Sequence, residues 1–348
     1  MRIAYLLDTF PSPSETFIAR EIAALRRRGF HIEVFAFHAG EGATPIPRPR
    51  LGRMLPQQGW RLIGSRLNLA GFDHVHAGWA NHIAWVAQGA AQKHGLPWSF
   101  SSHARDLWVE GGDLRAKLKS AKFATSCTLA GAEELKKFGD NVIYAPHGLE
   151  LERYEFRLPD LSGERKLVGV GRLVAKKGWG GAMVLTAYIP GGTLTIFGEG
   201  PERKTLEVLA EEFSPFVSLP GALPHDELVA RLRAFNCLVL PSLRTGEGDR
   251  DGLANVLLEA GALGLPIVTT NAGSASDFVD EMTGLLVEAT DFEAFVDAVQ
   301  RVFAEPDATL ERCQNARRRV EERFDADKNV EVLARAFGTA FPGVETPG

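Results

Sequence analysis

Strand-like and helix-like segments alternate along almost the whole of this 348-residue chain, and that alternation limits the fold more than any other feature. Short β-rich runs fall at 2–7, 31–37, 72–77, 98–101, 123–126 and 142–145, and a second series at 167–171, 194–198, 217–219, 237–241, 267–270 and 284–287. Helical periodicity lies between them, at 15–28, 81–94, 129–137, 201–212, 225–235, 254–263 and 292–303. Strand, helix and strand in that order make parallel sheets whose faces are covered by the helices. Periodicity fades at 150–163, where acidic, Pro and Gly residues cluster, which predicts a domain boundary there. The expectation is an α/β protein of two doubly wound, Rossmann-like domains, 1–155 and 156–326, facing one another across an interdomain cleft. Ligands of such domains sit beyond the carboxyl ends of the strands. The last helical stretch, 310–341, is long and rich in Arg and Glu, and its end, about 327–341, is expected to pack back on the N-terminal domain.

Length and composition agree with this frame. A chain of 348 residues exceeds one ordinary compact core. Nothing in it reaches the roughly eighteen consecutive apolar residues of a membrane span. The opening run MRIAYLLDTF meets Asp8 at once and has no small-residue cleavage site, so it reads as a first strand rather than a signal peptide. Cys127, Cys237 and Cys313 are far apart and form no CxxC pair, which argues against a disulfide framework or structural zinc and for a cytoplasmic setting. The net charge of −5 is uneven: 19 Lys/Arg against 15 Asp/Glu in residues 1–155, and 20 against 29 in 156–348. Residues 44–68 hold five arginines and no acid, with Trp60, Leu62, Ile63 and Leu67 interleaved. Such a segment suits peripheral contact with an anionic membrane, or else a Pro-rich loop leading into a short core helix. Nothing resembles a base-reading module, so nucleic acid is not an expected partner.

Four runs carry chemistry. In Gly171-Arg172-Leu173-Val174-Ala175-Lys176-Lys177-Gly178, a strand end releases Arg172 and Lys177 just before a helix, a pairing suited to a diphosphate. A plain basic strand–helix turn reads the same way. In Phe197-Gly198-Glu199-Gly200-Pro201 the glycines permit a tight turn, but the third glycine of a dinucleotide fingerprint is missing. In Asp251-Gly252-Leu253-Ala254-Asn255-Val256-Leu257-Leu258-Glu259, an acidic loop enters an apolar helix. Asp251 stands near its start, N–H groups follow at Gly252 and Leu253, and Glu259 lies two turns inside. A carboxylate in so apolar a helix needs hydrogen-bond donors, which a ribose diol supplies; a capping acid and an exposed Glu are the bland alternative. In Ser101-Ser102-His103-Ala104-Arg105-Asp106 the imidazole follows a strand and can bond a sugar or phosphate, or be merely structural. His74 and His76 share one strand face without a carboxylate to complete a metal set.

Together these runs resemble the retaining glycosyltransferases of family GT4, which have the GT-B fold. The ordered blocks are GRLVAKKG, FGEGPERKTL, SLPGALPHDEL, CLVLPS, DGLANVLLEAGALGLPIVTT and TGLLV. In addition, Ser14-Glu15-Thr16-Phe17-Ile18 is similar to the opening of bacterial exopolysaccharide and lipopolysaccharide transferases, and SSHARD to the family's His-Ala-x-Asp block. The resemblance implies that Arg172 and Lys177 hold the donor diphosphate, that Glu259 binds the ribose, and that Asp251, in place of the usual Glu, faces the donor sugar. It implies that His103 lies near sugar and phosphate, so that His103, Asp251, Arg172 and Lys177 form the catalytic set. Donor binding then extends over Gly252, Leu253, Ala254 and Asn255, and Ser14, Glu15 and Thr16 form an acceptor or phosphate loop. Asn271 to Asp277 replaces the commoner Gly-Gly-x-x-Glu block, and residues between Phe37 and Phe72 are few for an acceptor site.

The implied activity is transfer of a hexose from a UDP- or GDP-sugar to an acceptor hydroxyl with retention, in polysaccharide, glycolipid or glycosylated-metabolite biosynthesis. The nucleotide sugar is a co-substrate, no cofactor or metal is expected, and the acceptor is a carbohydrate, a lipid-linked sugar or a small molecule. A UDP-sugar epimerase, a phosphorylase-like enzyme with a pyridoxal-binding lysine, and a silent nucleotide-sugar-binding protein are the alternatives.

Overall fold

The computed structural model describes residues 1–12, 15–47 and 56–339. The chain forms two compact units, one of residues 1–148 with 326–348 and one of residues 149–325.

In the first unit seven strands form one sheet: β1 (Arg2–Phe10), β2 (His31–Ala39), β3 (Ala43–Pro45), β4 (His74–Ala77), β5 (Trp98–Ser102), β6 (Phe123–Ser126) and β7 (Val142–Tyr144). Their order is β3-β2-β1-β4-β5-β6-β7 and every pair is parallel. Ile3, Ala4, Tyr5, Leu6 and Leu7 of β1 are all buried, as a central strand with both faces covered demands. The edge strand β3 has no counterpart in the sequence-based series. Three residues ending in Pro45 are too short to show a period, and proline is tolerated only at such an edge.

In the second unit β8 (Arg165–Val170), β9 (Gly192–Phe197), β10 (Val217–Gly221), β11 (Cys237–Leu240), β12 (Ile267–Thr270) and β13 (Leu285–Val287) pair in the order β10-β9-β8-β11-β12-β13, all parallel. Strand order therefore reverses between β8 and β11, the switch point at which open α/β sheets leave a crevice.

The seam lies at Gly148/Leu149, a few residues before the one expected from composition. The reason is packing: the acidic, loop-like segment carries Tyr154, which is buried in the core of the second unit. Arg317 clamps that segment by donating to the carbonyls of Tyr154 (2.7 Å) and Ala262 (2.8 Å).

The long terminal helix expected over 310–341 is two helices, Pro306–Arg323 and Ala326–Thr339. Between them Phe324 is fully buried, its carbonyl accepts the Leu149 N–H at 2.8 Å, and Asp325 bridges Leu149. The chain passes there from one unit to the other. On the far side Val330, Leu333, Ala336 and Phe337, one face of a helix, join Ile3, Tyr5, Ile18 and Ile22 in the core of the first unit. Phe337 meets the rings of Phe123, His74 and His76 at 5.5, 5.2 and 5.4 Å.

The basic segment 44–68 falls partly outside the described residues, which do not include Arg48, Arg50 and Arg53. Its helix Gln57–Gly64 buries Trp60 and Ile63, Leu67 beyond it is buried too, and Leu62 is left exposed. Among the described residues, most of its apolar side chains therefore serve the core. Among the described residues no helix is long and apolar enough to cross a membrane.

Because Phe337 completes the first unit's core, Phe337→Ala should cost about 3–5 kcal/mol of stability. Denaturant unfolding checks this, and a loss below about 1 kcal/mol would show that the last helix is not part of that core.

Candidate functional site

The turn after β8 and the segment after β11 are built to lie against each other at the second unit's switch point. Gly178, at φ +65°, faces the Pro241 carbonyl so closely that a Cβ there would stand 2.1 Å from that oxygen. The Leu243 N–H donates to the Lys176 carbonyl at 2.7 Å. Trp179, buried beneath the turn, donates from Nε1 to the Arg172 carbonyl at 3.0 Å. The glycine-rich turn after β9 closes the other side: Gly171 N–H donates to Phe197 O (3.0 Å), Leu173 N–H to Glu199 O (2.9 Å) and Glu202 N–H to Leu173 O (3.1 Å).

Two lysines and two acids fill this frame. Lys177 Nζ lies 2.7 Å from Asp251 Oδ2, with the two side chains 10% and 12% exposed. Lys176 Nζ lies 3.0 Å from Asp249 and 3.7 Å from Asp251, and donates to the Arg250 carbonyl at 3.2 Å. Ser242 Oγ donates to Asp251 Oδ2 at 2.8 Å. Burial pushes the Asp251 carboxyl up, but the Lys177 charge and hydrogen bond, with Lys176 and Ser242, hold it below its ordinary value. The four charges compensate one another. The Arg172 side chain is exposed, and its guanidinium makes no hydrogen bond or ion pair among the described residues.

Beyond Asp251 the chain enters the helix Asn255–Leu263, whose start has no side-chain cap; Gly252, Leu253, Ala254 and Asn255 are half-buried there. The run after β12 reaches the same place, since a Cβ on Gly273 would stand 2.1 Å from the Asp251 carbonyl. Glu259 is buried within that helix. His225 Nε2 lies 3.0 Å from its Oε1, and the Tyr154 hydroxyl bonds both Glu259 (3.4 Å) and His225 (3.2 Å). The donors that so apolar a helix required are thus present within the protein.

In the first unit His103 follows β5. Its N–H donates to Asp106 Oδ1 at 2.7 Å, while Asp106 Oδ2 accepts the Ala80 N–H at 2.6 Å. Burial raises the Asp106 carboxyl to about 7 and lowers the neighbouring Lys117 ammonium to about 7. The His103 ring packs between Trp79 (4.3 Å), Phe17 (5.2 Å) and His147 (5.3 Å). Burial lowers its pKa to about 3, so it is a neutral imidazole. Glu15 precedes the helix Thr16–Arg27, which Thr16 begins, and Ser14 lies outside the described residues. His74 and His76 both bond Ser99 (2.7 and 2.8 Å), and His76 also Ser101 (3.0 Å), as neutral core histidines.

The structure brings Lys177 and Asp251 into contact and places Glu259 on the helix that follows Asp251. His103 and Thr16 belong to the first unit. Sequence reasoning passed over Lys176, Ser242, Tyr154 and His225. The alternation Asp249-Arg250-Asp251 opposite Lys176-Lys177 was a usable signal for Lys176, whereas Tyr154 and His225 are 105 and 34 residues from Glu259.

A pair of Rossmann-like units with a cation-bearing turn at a switch point, followed by an uncapped helix start, is the architecture of GT-B nucleotide-sugar transferases. The family model for glycosyl transferases group 1 matches residues 164–305. Glycogen synthase of Mycobacterium tuberculosis H37Rv is 29% identical over 301 residues, 79% of this chain and 70% of that protein. A GDP-mannose-dependent alpha-(1-6)-phosphatidylinositol monomannoside mannosyltransferase of the same organism is 28% identical over 268 residues, 72% and 65% of the two chains. The Anabaena protein HepE, solved with UDP-glucose, superposes with a TM-score of 0.78 at 17% identity over 97% of this chain and 100% of that one. Residues 164–305 thus carry a group 1 glycosyltransferase domain, and over most of its length the chain is similar to GT4-type glycosyltransferases.

The buried imidazoles make the first unit sensitive to acid. His74 and His103 are held near 3, against an ordinary value of 6.5, and His76 and His147 are depressed by burial as well. The unfolded chain therefore binds more protons below pH 6.5, and stability falls as pH drops toward 3, by up to about 1.4 kcal/mol per pH unit for each group. Asp106 and Glu21, raised to about 7 by burial, act oppositely above their ordinary values of 3.8 and 4.5. The decline should be steepest below pH 4.5. Unfolding midpoints measured against pH should show a shallower slope in His103→Gln than in wild type; identical slopes would mean that His103 is not held neutral.

Proposed function

We propose that this glycosyltransferase moves a hexose from a UDP- or GDP-sugar to an acceptor hydroxyl with retention at the anomeric carbon, in polysaccharide, glycolipid or glycosylated-metabolite biosynthesis. The observation that carries the donor half of this reading is the position of Arg172 and Lys177 after β8, beside the uncapped start of Asn255–Leu263. Because Lys176 and Lys177 are matched by Asp249 and Asp251, the charge left for an incoming diphosphate comes from Arg172 and the helix N–H groups. Lys177 has further N–H donors beyond the one aimed at Asp251, and that carboxylate fixes where they point. To Glu259, held through Oε1 by His225 and Tyr154, we assign acceptance of the ribose hydroxyls. The mannosyltransferase's name cites GDP-mannose, and HepE was solved with UDP-glucose, which supports a nucleotide sugar of either base.

In the proposed reaction the bond between the anomeric carbon and the β-phosphate oxygen breaks while the acceptor oxygen bonds to the same face of that carbon. The departing phosphate oxygen takes the acceptor proton, so no protein nucleophile is needed. Negative charge grows on the leaving diphosphate, where Arg172, Lys177 and backbone N–H groups stabilise it more than in the ground state. His103, neutral, orients the sugar by hydrogen bonding rather than acting as a strong base. The clamp supplies its own cations, so we expect turnover without added metal; activity abolished by EDTA and restored by Mg²⁺ or Mn²⁺ would refute this.

Arg172→Ala should lower kcat/KM about 100-fold or more with little change in melting temperature, and Lys177→Ala should lower kcat/KM as much while also lowering the melting temperature, because buried Asp251 loses its partner. Near-normal rates in both would remove the diphosphate assignment. In a thermal-shift panel of UDP, GDP, ADP and their sugars, one nucleotide class should stabilise the wild type. Glu259→Gln should weaken that nucleotide about tenfold, corresponding to about 1.4 kcal/mol.

A further inference from the structure

Three adjacent strands of the first unit end in donor side chains: His103 after β5, Cys127 after β6 and His147 after β7. One ligand atom from each lies within 4.8 Å of the others. The two imidazoles stack at 5.3 Å, and Phe17 lies 4.1 Å from His147 and 5.2 Å from His103. Arg20, one turn after Phe17 on the same helix, is near enough to act electrostatically on His147. Four atoms here are shut off from solvent and, among the described residues, without a hydrogen-bond partner: Arg20 Nε and Nη2, His103 Nδ1 and His147 Nε2.

Soft donors this close would suit a transition metal, but a guanidinium that never loses its charge opposes a cation beside His147. That guanidinium itself has no ion-pair partner among the described residues. Its Nε and Nη2 make up the edge that grips two oxygens of one carboxylate or phosphate, and inaccessible N–H groups left without an acceptor are disfavoured. A neutral imidazole offers one N–H, so the histidines can each add a donor without adding charge.

We propose that Arg20, flanked by His147 and His103, is a binding site for an oxyanion, a phosphate or carboxylate carried by a substrate. The anion belongs either to the acceptor or to the donor diphosphate. The site stands on the geometry of the first unit alone and does not depend on the assignment of Arg172 and Lys177.

Calorimetry with inorganic phosphate, and separately with UDP and GDP, on wild type, Arg20→Met, Arg20→Lys and Arg172→Ala distinguishes the cases. Wild type should bind phosphate, Arg20→Met should lose at least about tenfold in affinity, and Arg20→Lys should retain part of it. Nucleotide binding unchanged in Arg20→Met assigns the anion to the acceptor, and nucleotide binding weakened in parallel assigns it to the donor. A melting curve separates binding from a packing role: without phosphate Arg20→Met should melt no lower than wild type, and phosphate should raise only the wild-type transition. The proposal is overturned if wild type takes up no phosphate at tens of millimolar. It is also overturned if Arg20→Met binds phosphate as wild type does, whether or not Arg172→Ala abolishes that binding.

Discussion

The buried contact between Lys177 and Asp251 joins the two halves of the second unit's switch point. The turn after β8 and the loop after β11 are separated by more than seventy residues, and backbone hydrogen bonds between them are few. Charge does the rest. With side chains 10% and 12% exposed, neither ion keeps its water, so each depends on the other and on Ser242 and Lys176. Removing one partner of such a pair typically costs about 3–5 kcal/mol, because the other is left uncompensated. That dependence sets the shape of the turn that carries Arg172 and of the loop that leads into Asn255–Leu263.

The two units treat buried ionisable groups differently. The second pairs them: Lys176 with Asp249 and Lys177 with Asp251, while Glu259 is hydrogen-bonded by His225 and Tyr154. The first keeps several of them neutral instead. His74, His76, His103 and His147 are depressed by burial, and Glu21, bonded to the Tyr5 hydroxyl at 2.8 Å, is raised to about 7. Neutral imidazoles hold their neighbours by hydrogen-bond direction, whereas paired ions hold theirs by charge.

How much of this was legible in the sequence depended on range. The parallel strands were readable because each buried strand is a continuous apolar run between helical periods. The short edge strand β3 was not, since three residues carry no period. The terminal helix read as continuous because Phe324 and Asp325 interrupt no pattern; their interruption comes from Leu149, which is remote in sequence. Lys177 and Asp251 stood out as a cation after a strand and an acid before a helix. That they touch, and that Tyr154 and His225 hold Glu259, are tertiary facts without a local signature.

The return of Ala326–Thr339 to the first unit bears on the order in which the chain can fold. Synthesis delivers residues 149–325 whole and contiguous, ready to close their own sheet. Residues 1–148 leave the ribosome earlier but lack the helix that seals the faces of Ile3, Tyr5 and Phe123. The half made first is thus the half completed last, and until then its apolar sheet face must wait in the cell uncovered.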